Sequence, residues 1–503
     1  MKTYCYPLLV LILVLFSFSL VQSPIAYGQK LESRVVEHTL NNGIKVLMVE
    51  RHEAPVVSFH VLFDVGAVNE TVGTTGIAHL LEHMAFKGTK TIGTTYYEKE
   101  QALLEKLDKI FLQIKEERAK GEKADPSRLE QLEKEFEETK QAADALVVTD
   151  EFSKIYQVNG GVGLNATTSQ DATRYFISLP SNKVELWALL ESDRIANLVT
   201  REFYSERDVV LEERRLRTDS SPVGKLFEQF QAASFIAHPY HTPTIGWESD
   251  IKNFTREEVN AFYEKYYVPS NATIAIVGDI NPPEVIELME KYFGAIPPAP
   301  KPPKVETVEP PQVGERRIEV ELAANPHLLM GYHKPDINHP DEPVFDVISS
   351  ILSDGRTSRF YKDLVEKRIA TNVDSFTGFP GDKYPNLFVI MGTPLAPHTT
   401  KEVEEGIYAE LERLKTEPVS QEELQKVINN EEASFISSLS SNSGLASQLA
   451  FFQAITGDWR NIEKHLDKIK AVTPEDIMRV AKEYFTKTHR TVATIVKKER
   501  PQG

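Results

Sequence analysis

Apolar and polar positions change rhythm several times along this chain, and each change predicts an element. After the turn residues Asn41-Asn42-Gly43, residues 44–49 and 55–65 alternate apolar and polar side chains, the period of half-buried strands. A short, mostly apolar stretch follows (Ile77, Ala78, Leu80, Leu81, Met84, Ala85, Phe86). Gly73-Thr74-Thr75-Gly76 opens it and Gly88 closes it, which predicts a short helix. Residues 98–146 differ in kind, being almost all Glu, Lys, Gln, Ala and Leu. Leu103, Leu107, Ile110 and Ile114 share one helical stripe, and Leu129, Leu132, Phe136 and Ala143 share another. Residues 121–126 interrupt the run, and Asp125-Pro126 is a strong helix start, so two amphipathic helices packed as a hairpin are expected. Stripes of this kind usually bury each other; the alternative is a surface that binds a partner protein.

Two later stretches repeat one pattern. Thr255-Arg256-Glu257-Glu258-Val259 leads through Tyr266-Tyr267 to Ile274-Ala275-Ile276-Val277, a capped helix, an aromatic pair and a strand. Thr473-Pro474-Glu475-Asp476-Ile477 leads through Tyr484-Phe485 to Val492-Ala493-Thr494-Ile495 in the same register without a gap. Self-similarity of this kind argues for duplication. Between the halves, residues 296–313 are rich in proline and predict an extended, semi-stiff linker. The expected fold is therefore α+β: two homologous domains, residues 36–295 and 314–500, each a β-sheet with helices packed on one face.

Composition narrows the function classes. A chain of 503 residues is too long for one core. Its 41 % hydrophobic and 26 % charged content is that of a globular protein. A formal net charge of −17 argues against nucleic acid or an anionic membrane surface as the partner. At the N-terminus Lys2 precedes an apolar run, 8–20, and Ala26-Tyr27-Gly28 offers small residues for cleavage, so residues 1–28 read as a secretory signal peptide. A retained membrane anchor is the alternative, but the run is shorter than the roughly 18 residues of a spanning helix. The lone cysteine, Cys5, falls in this segment, so the mature chain has no disulfide or thiol chemistry. An exported protein without disulfides fits a bacterial periplasm or the outside space.

The chemistry lies in His79-Leu80-Leu81-Glu82-His83. On a helix, residues four apart lie on one face, so both imidazoles can point at a single metal, with Glu82 close enough to touch a metal-bound water. Two neutral nitrogen ligands, a carboxylate base and an open position form the layout for zinc hydrolysis. Two histidines and a glutamate inside so apolar a helix are costly to bury without a partner, and Zn²⁺ supplies one.

With its flanks, this stretch reads G-x-x-H-x-x-E-H-x-x-F-K-G-T. It resembles the pitrilysin/insulinase family of inverted zinc metallopeptidases, which includes the mitochondrial processing peptidases. The resemblance implies a third metal ligand in a downstream helix of the form E-R-x-V-x-x-x-E. Glu206-Arg207-Asp208-Val209-Val210-Leu211-Glu212-Glu213 matches it and puts the ligand at Glu213, with Glu206 placed to orient another ligand from behind. The resemblance also implies an edge strand at Leu164-Asn165-Ala166-Thr167-Thr168, where Asn165 and Ala166 contact a peptide substrate by strand addition. It further implies two domains facing each other like a clamshell around a peptide, and a much shorter link where residues 98–146 stand, which marks that hairpin as an insertion of about 50 residues. In the second domain the family supplies an arginine and a tyrosine to the substrate. Ser358-Arg359-Phe360 keeps the arginine, but the tyrosine position falls on Asn372. Some family members divide the work between a zinc subunit and a related partner lacking H-x-x-E-H, and a heterodimer of that kind is the expectation here. The competing function is a non-catalytic core or peptide-binding subunit; such members lose metal ligands, whereas this chain keeps His79, His83, Glu213 and Glu82.

Overall fold

The computed structural model describes residues 31–497, so the apolar stretch read as an export signal lies outside the described residues. In chain order the strands are β1 (Val35–Thr39), β2 (Lys45–Glu50), β3 (Val56–Phe63), β4 (Val162–Thr168), β5 (Thr173–Pro180), β6 (Ala272–Gly278), β7 (Arg316–Leu322), β8 (Leu328–Lys334), β9 (Ala370–Phe379), β10 (Asn386–Pro394) and β11 (Arg490–Lys497). The α-helices of the first half are α1 (Ile77–Met84), α2 (Tyr97–Ala119), α3 (Pro126–Asp144), α4 (Glu151–Val158), α5 (Val184–Asn197), α6 (Phe203–Arg214), α7 (Pro222–Ser234), α8 (Glu248–Asn253), α9 (Arg256–Tyr266) and α10 (Pro282–Tyr292). The second half adds α11 (Glu342–Ser353), α12 (Thr400–Thr416), α13 (Gln421–Ser438), α14 (Asn442–Phe451), α15 (Asn461–Lys470) and α16 (Pro474–Tyr484).

The repeat in the sequence is a repeat in topology. Thr255 and Thr473 both cap their helices reciprocally, the hydroxyl accepting from the amide three residues on while that residue's carboxylate reaches back; such a cap contributes about 1 kcal/mol. The strands that follow, β6 and β11, sit inside their sheets. β6 runs parallel to β2 and antiparallel to β3; β11 runs parallel to β7 and antiparallel to β8. The sheet orders are β1-β2-β6-β3-β5-β4 and β7-β11-β8-β10-β9, the same arrangement apart from the extra edge strand β1.

Each half covers one face of its own sheet with its own helices, and the opposite face receives a helix from the other half. Leu445, Ala446 and Leu449 of α14 pack on Leu47, Leu62, Ala275 and Val277 of the first sheet. His60 and Arg174 bond the Ser443 and Ser447 hydroxyls at the margin of that contact, at 3.0 and 3.1 Å. In return, Leu226 and Phe230 of α7 pack on Leu329, Leu387, Ala493 and Ile495 of the second sheet. The Phe230 ring lies so close to β8 that a Cβ on Gly331 would come within 2.5 Å of it, which explains a glycine inside that strand. Coverage on both faces is why β6 is buried along its whole length and reads as a continuous apolar run. Each fully buried Leu or Phe in these contacts contributes roughly 1.5–3 kcal/mol.

Residues 97–144 form the expected hairpin. Asp125 caps α3 by accepting from the amides of Ser127 and Arg128, with Pro126 at the first helical position. Ile110, Ile114 and Leu132 bury one another, and Leu107, Phe111 and Ala143 join the main core. Leu104, rather than the neighbouring Leu103, is the fully buried residue of that turn, because the helix turns its stripe toward the core. The proline-rich stretch lacks helix and strand from 297 to 313, yet it is fastened: the Glu309 carboxylate accepts the amides of Ile236, Ala237 and His238 at 2.9, 2.9 and 3.0 Å. Among the described residues, no helix is long and apolar enough to cross a membrane.

Candidate metal centre

The helix that carries the histidines starts on borrowed partners. Gly76 precedes it in a left-handed conformation (φ 93°), and a Cβ there would meet the Ile245 carbonyl at 2.6 Å. No side chain of the Gly-Thr stretch caps α1. The Glu70 carboxylate does so, accepting the amides of Gly76 and Ala78 at 2.8 Å each. Asp250, from α8, holds the Thr75 hydroxyl at 2.7 Å. The composition of residues 73–76 thus signals the helix start, while the groups that satisfy it come from elsewhere in the chain.

One helical turn then places His79 and His83 side by side, with ring centroids 4.8 Å apart. α6 lies against α1 and brings Glu213 to both. His79 Nε2 is 3.6 Å from Glu213 Oε1, and His83 Nε2 is 3.5 Å from Glu213 Oε2. Ligands about 2.0–2.2 Å from a tetrahedral zinc lie roughly 3.3–3.5 Å from one another, so this spacing fits such an ion. Among the described residues, His79, His83 and Glu213 are the group whose donor atoms converge to within 4.8 Å. The donor set, two imidazole nitrogens and a carboxylate, is that of a mononuclear zinc site with a position left open.

The surrounding charges tune these side chains. Burial, with the nearby charges of His83 and Arg217, drives His79 down to about 3, so it is neutral and able to donate a lone pair. Burial also disfavours charge on His83, but the Glu206 hydrogen bond and the carboxylates of Glu206, Glu213 and Glu82 outweigh it and raise its pKa. His83 Nδ1–H donates to Glu206 Oε1 at 2.8 Å, which leaves Nε2 facing the cluster. Burial would raise Glu206, yet hydrogen bonds from His83 and Lys87 bring it down to about 2. Lys87 Nζ sits 2.6 Å from Glu206 and 3.4 Å from Glu202. Glu82, on α1 between the two histidines, has its pKa raised by burial. Just past Glu213 the helix widens into a π turn over Arg215–Asp219, and Arg217 from that turn pairs with Glu213 Oε1 at 2.7 Å. The Arg217 side chain is 74 % exposed, so it can swing into solvent.

A cavity of about 250 Å³ opens beside the cluster, lined by Glu82, His83, Phe86, Lys87, Asn165 and Glu206 and walled by Val147, Val148 and Asp150 from the chain leaving the hairpin. Asn165 is exposed on β4, the edge strand of the first sheet, and its Oδ1 accepts the Ala166 amide at 2.9 Å; the Ala166 side chain itself is buried in the core. Arg359 is not among the residues lining the cavity. It is buried in the second half, where Nε and Nη2 bind both oxygens of Glu423 at 3.0 and 2.9 Å. The sequence motif shows Arg359 but not Glu423, the carboxylate that α13 brings to it. Asn372, on edge strand β9, donates to Asp374 at 3.0 Å. Lys87 and Glu70 escaped sequence reasoning: Lys87 stands in the motif's flank, but nothing local says that it grips Glu206.

Two imidazoles and a carboxylate, set on a duplicated α+β fold that carries the cluster in its first half, define the class of zinc proteases with the inverted motif. Comparison with known proteins agrees. Residues 45–114 match the family model of insulinase (peptidase family M16), and residues 253–431 match that of the peptidase M16 inactive domain. The zinc protease PqqE of Helicobacter pylori is 33 % identical over 468 residues, covering 90 % of each chain. The probable mitochondrial-processing peptidase subunit beta of Schizosaccharomyces pombe is 24 % identical over 459 residues, covering 88 % of this chain and 87 % of that one. The crystal structure of a protease from Helicobacter pylori superposes with a TM-score of 0.77 at 30 % identity, covering 92 % of this chain and 99 % of that one. The chain belongs to the insulinase family of zinc proteases, peptidase family M16.

Proposed function

We propose that this chain is a zinc-dependent endopeptidase that hydrolyses peptides or unfolded segments held between its two halves. The observation that carries the reading is the convergence of His79, His83 and Glu213 at zinc-ligand spacing, with Glu82 on the same helix as both histidines. Those three residues hold the ion, which when bound polarises the scissile carbonyl and lowers the pKa of a water. The chain's own groups do the rest. Glu82 takes a proton from the attacking water at a carboxylate oxygen and later delivers it to the leaving amine. Glu206 holds His83 through Nδ1, and Lys87 holds Glu206. A substrate strand adds to the free edge of β4 at Asn165 and Ala166, where its backbone displaces the Asn165 side chain from the Ala166 amide. Residues 1–28 direct the chain out of the bacterial cytoplasm, to the periplasm or beyond. The 33 % identity to the Helicobacter pylori zinc protease PqqE supports the enzymatic reading over a scaffold role. The purified mature chain is expected to carry about one zinc and to cleave members of a random peptide library, read by mass spectrometry. Full zinc occupancy with peptides bound but uncleaved would instead establish the scaffold role.

The same reading includes a second subunit. Arg359 is engaged by Glu423, and Asn372 is shorter than a tyrosine and has no aromatic face. Neither presents the arginine–tyrosine pair that aligns substrate in the family. Co-expression with a related chain lacking H-x-x-E-H should give a stable complex and raise kcat/KM at least about tenfold, some 1.4 kcal/mol. If the chain alone already reaches ~10⁴ M⁻¹s⁻¹ and the relative neither binds nor stimulates it, the partner is excluded.

A further inference from the structure

The hairpin of α2 and α3 interrupts the chain between the segments that supply the metal ligands, His79–His83 and Glu213. It does not stand off as an appendage. α6 has two working faces. Glu206, Val210 and Glu213 recur at helical spacing on the face toward α1, with Val210 fully buried. Tyr204 lies close to half a turn from that face and Arg207 about a quarter of a turn, and both face the hairpin. The Tyr204 ring sits 5.0 Å from Phe111 of α2 and 4.9 Å from Phe136 of α3. Its hydroxyl donates to Asp108 at 3.0 Å. Asp108 in turn takes both arms of Arg256, at 3.0 and 2.6 Å, and so ties α2 to α9, a helix that packs against α1. The Arg207 guanidinium lies over the Phe111 ring at 4.9 Å and the Tyr204 ring at 5.4 Å, while its Nε and Nη1 are buried without an acceptor. Leaving those groups unpaired is unfavourable, and the ring faces of the hairpin offset part of that cost.

A second attachment lies at the other end of α2. Arg201, fully buried just before α6, donates to the carbonyls of Lys87, Thr89 and Ile92 in the loop that leaves α1, at 2.6, 2.6 and 2.9 Å. Its charge is matched by Glu100 of α2 at 2.8 Å. Gly88 and Gly93 let the loop close around the guanidinium, since a Cβ at either would meet Nη1 within 2.9 and 2.8 Å. The first turn of the hairpin therefore holds the exit of α1 and the entry of α6 through one buried ion pair, and its middle holds the back of α6.

We infer that the α2–α3 hairpin is a positioning element for the metal centre, setting the separation of the His79–His83 helix and the Glu213 helix through Phe111, Asp108 and Glu100. The inference rests on the assignment of His79, His83 and Glu213 as metal ligands. Phe111 touches neither metal nor substrate and acts through Arg207 and Tyr204. Its truncation is expected to act as loss of an outer partner of a ligand does, weakening metal affinity by roughly 10–100-fold.

The test measures zinc affinity of the metal-free full chain by chelator competition, alongside the melting temperature and the split of kcat from KM. Phe111→Ala should weaken zinc binding by at least about tenfold and lower kcat at subsaturating zinc while KM holds. Phe111→Tyr, which keeps the ring face, should restore affinity. Leu132→Ala, which opens the hairpin's interior beside Ile110 and Ile114 and leaves Phe111 in place, should lower the melting temperature and leave zinc affinity intact. Should Phe111→Ala not fold, Phe111→Leu keeps most of the volume without the ring and should shift affinity in the same direction. Unchanged affinity in the folded Phe111 variants overturns the inference, as does an equal loss in Leu132→Ala, which would mean that the hairpin acts through stability alone. A wild-type chain that binds no zinc removes the ligand assignment, and the inference with it.

Discussion

Glu82→Gln should keep its zinc and its fold and lose roughly 10²–10⁴-fold in peptide hydrolysis, about 3–5 kcal/mol at the transition state. Glutamine matches glutamate in size and cannot take a proton. Glu82 faces the cavity beside His83, yet it is not in the group of converging metal donors, so its removal leaves the ligand set whole. The loss should appear in kcat at saturating peptide, with zinc content measured on the same sample. A Glu82→Gln chain whose kcat stays within tenfold of wild type would exclude Glu82 as the general base.

Glu213→Ala should lose the metal itself, and with it all metal-dependent hydrolysis. Its carboxylate is the only one within reach of both Nε2 atoms among the described residues. The affinity loss should exceed the roughly 10–100-fold typical of an outer partner. Two neighbouring acids give the prediction its resolution. Glu206→Ala removes the acceptor of His83 Nδ1–H, frees His83 to rotate and should fall in that 10–100-fold range. Glu212→Ala should change little, because Glu212 is more than half exposed and pairs with Arg215 instead. Competition of each apo variant with a chelator gives the ranking. Retention of zinc by Glu213→Ala together with its loss from Glu206→Ala or Glu212→Ala would move the third ligand to that residue.

The local part of the site was legible because a helix repeats every 3.6 residues. That period alone puts His79 and His83 on one face with Glu82 beside them, and it needs no knowledge of the rest of the chain. Glu213 was legible only by resemblance. Nothing within α6 separates it from Glu212, and the choice between them is made by which face of that helix turns toward α1. Arg359 shows the reverse. Its motif was visible, but α13 brings Glu423 against it, and a buried guanidinium takes the nearest carboxylate.

By itself the sequence determined the duplicated helix–strand unit, the hairpin's two apolar stripes and the inverted metal motif. All of these follow from short-range periods and turn chemistry. Tertiary structure decided what meets what. The apolar positions of α14 mark a helix with something to bury, but only the fold shows that it covers the other half's sheet, with α7 returning the same contact. Glu70 caps α1, Lys87 grips Glu206, and Arg201 gathers three carbonyls and Glu100, each across a separation along the chain that no local pattern encodes. Periodicity tells a residue which side of its own element it lies on; the packing of elements tells it which partner waits there.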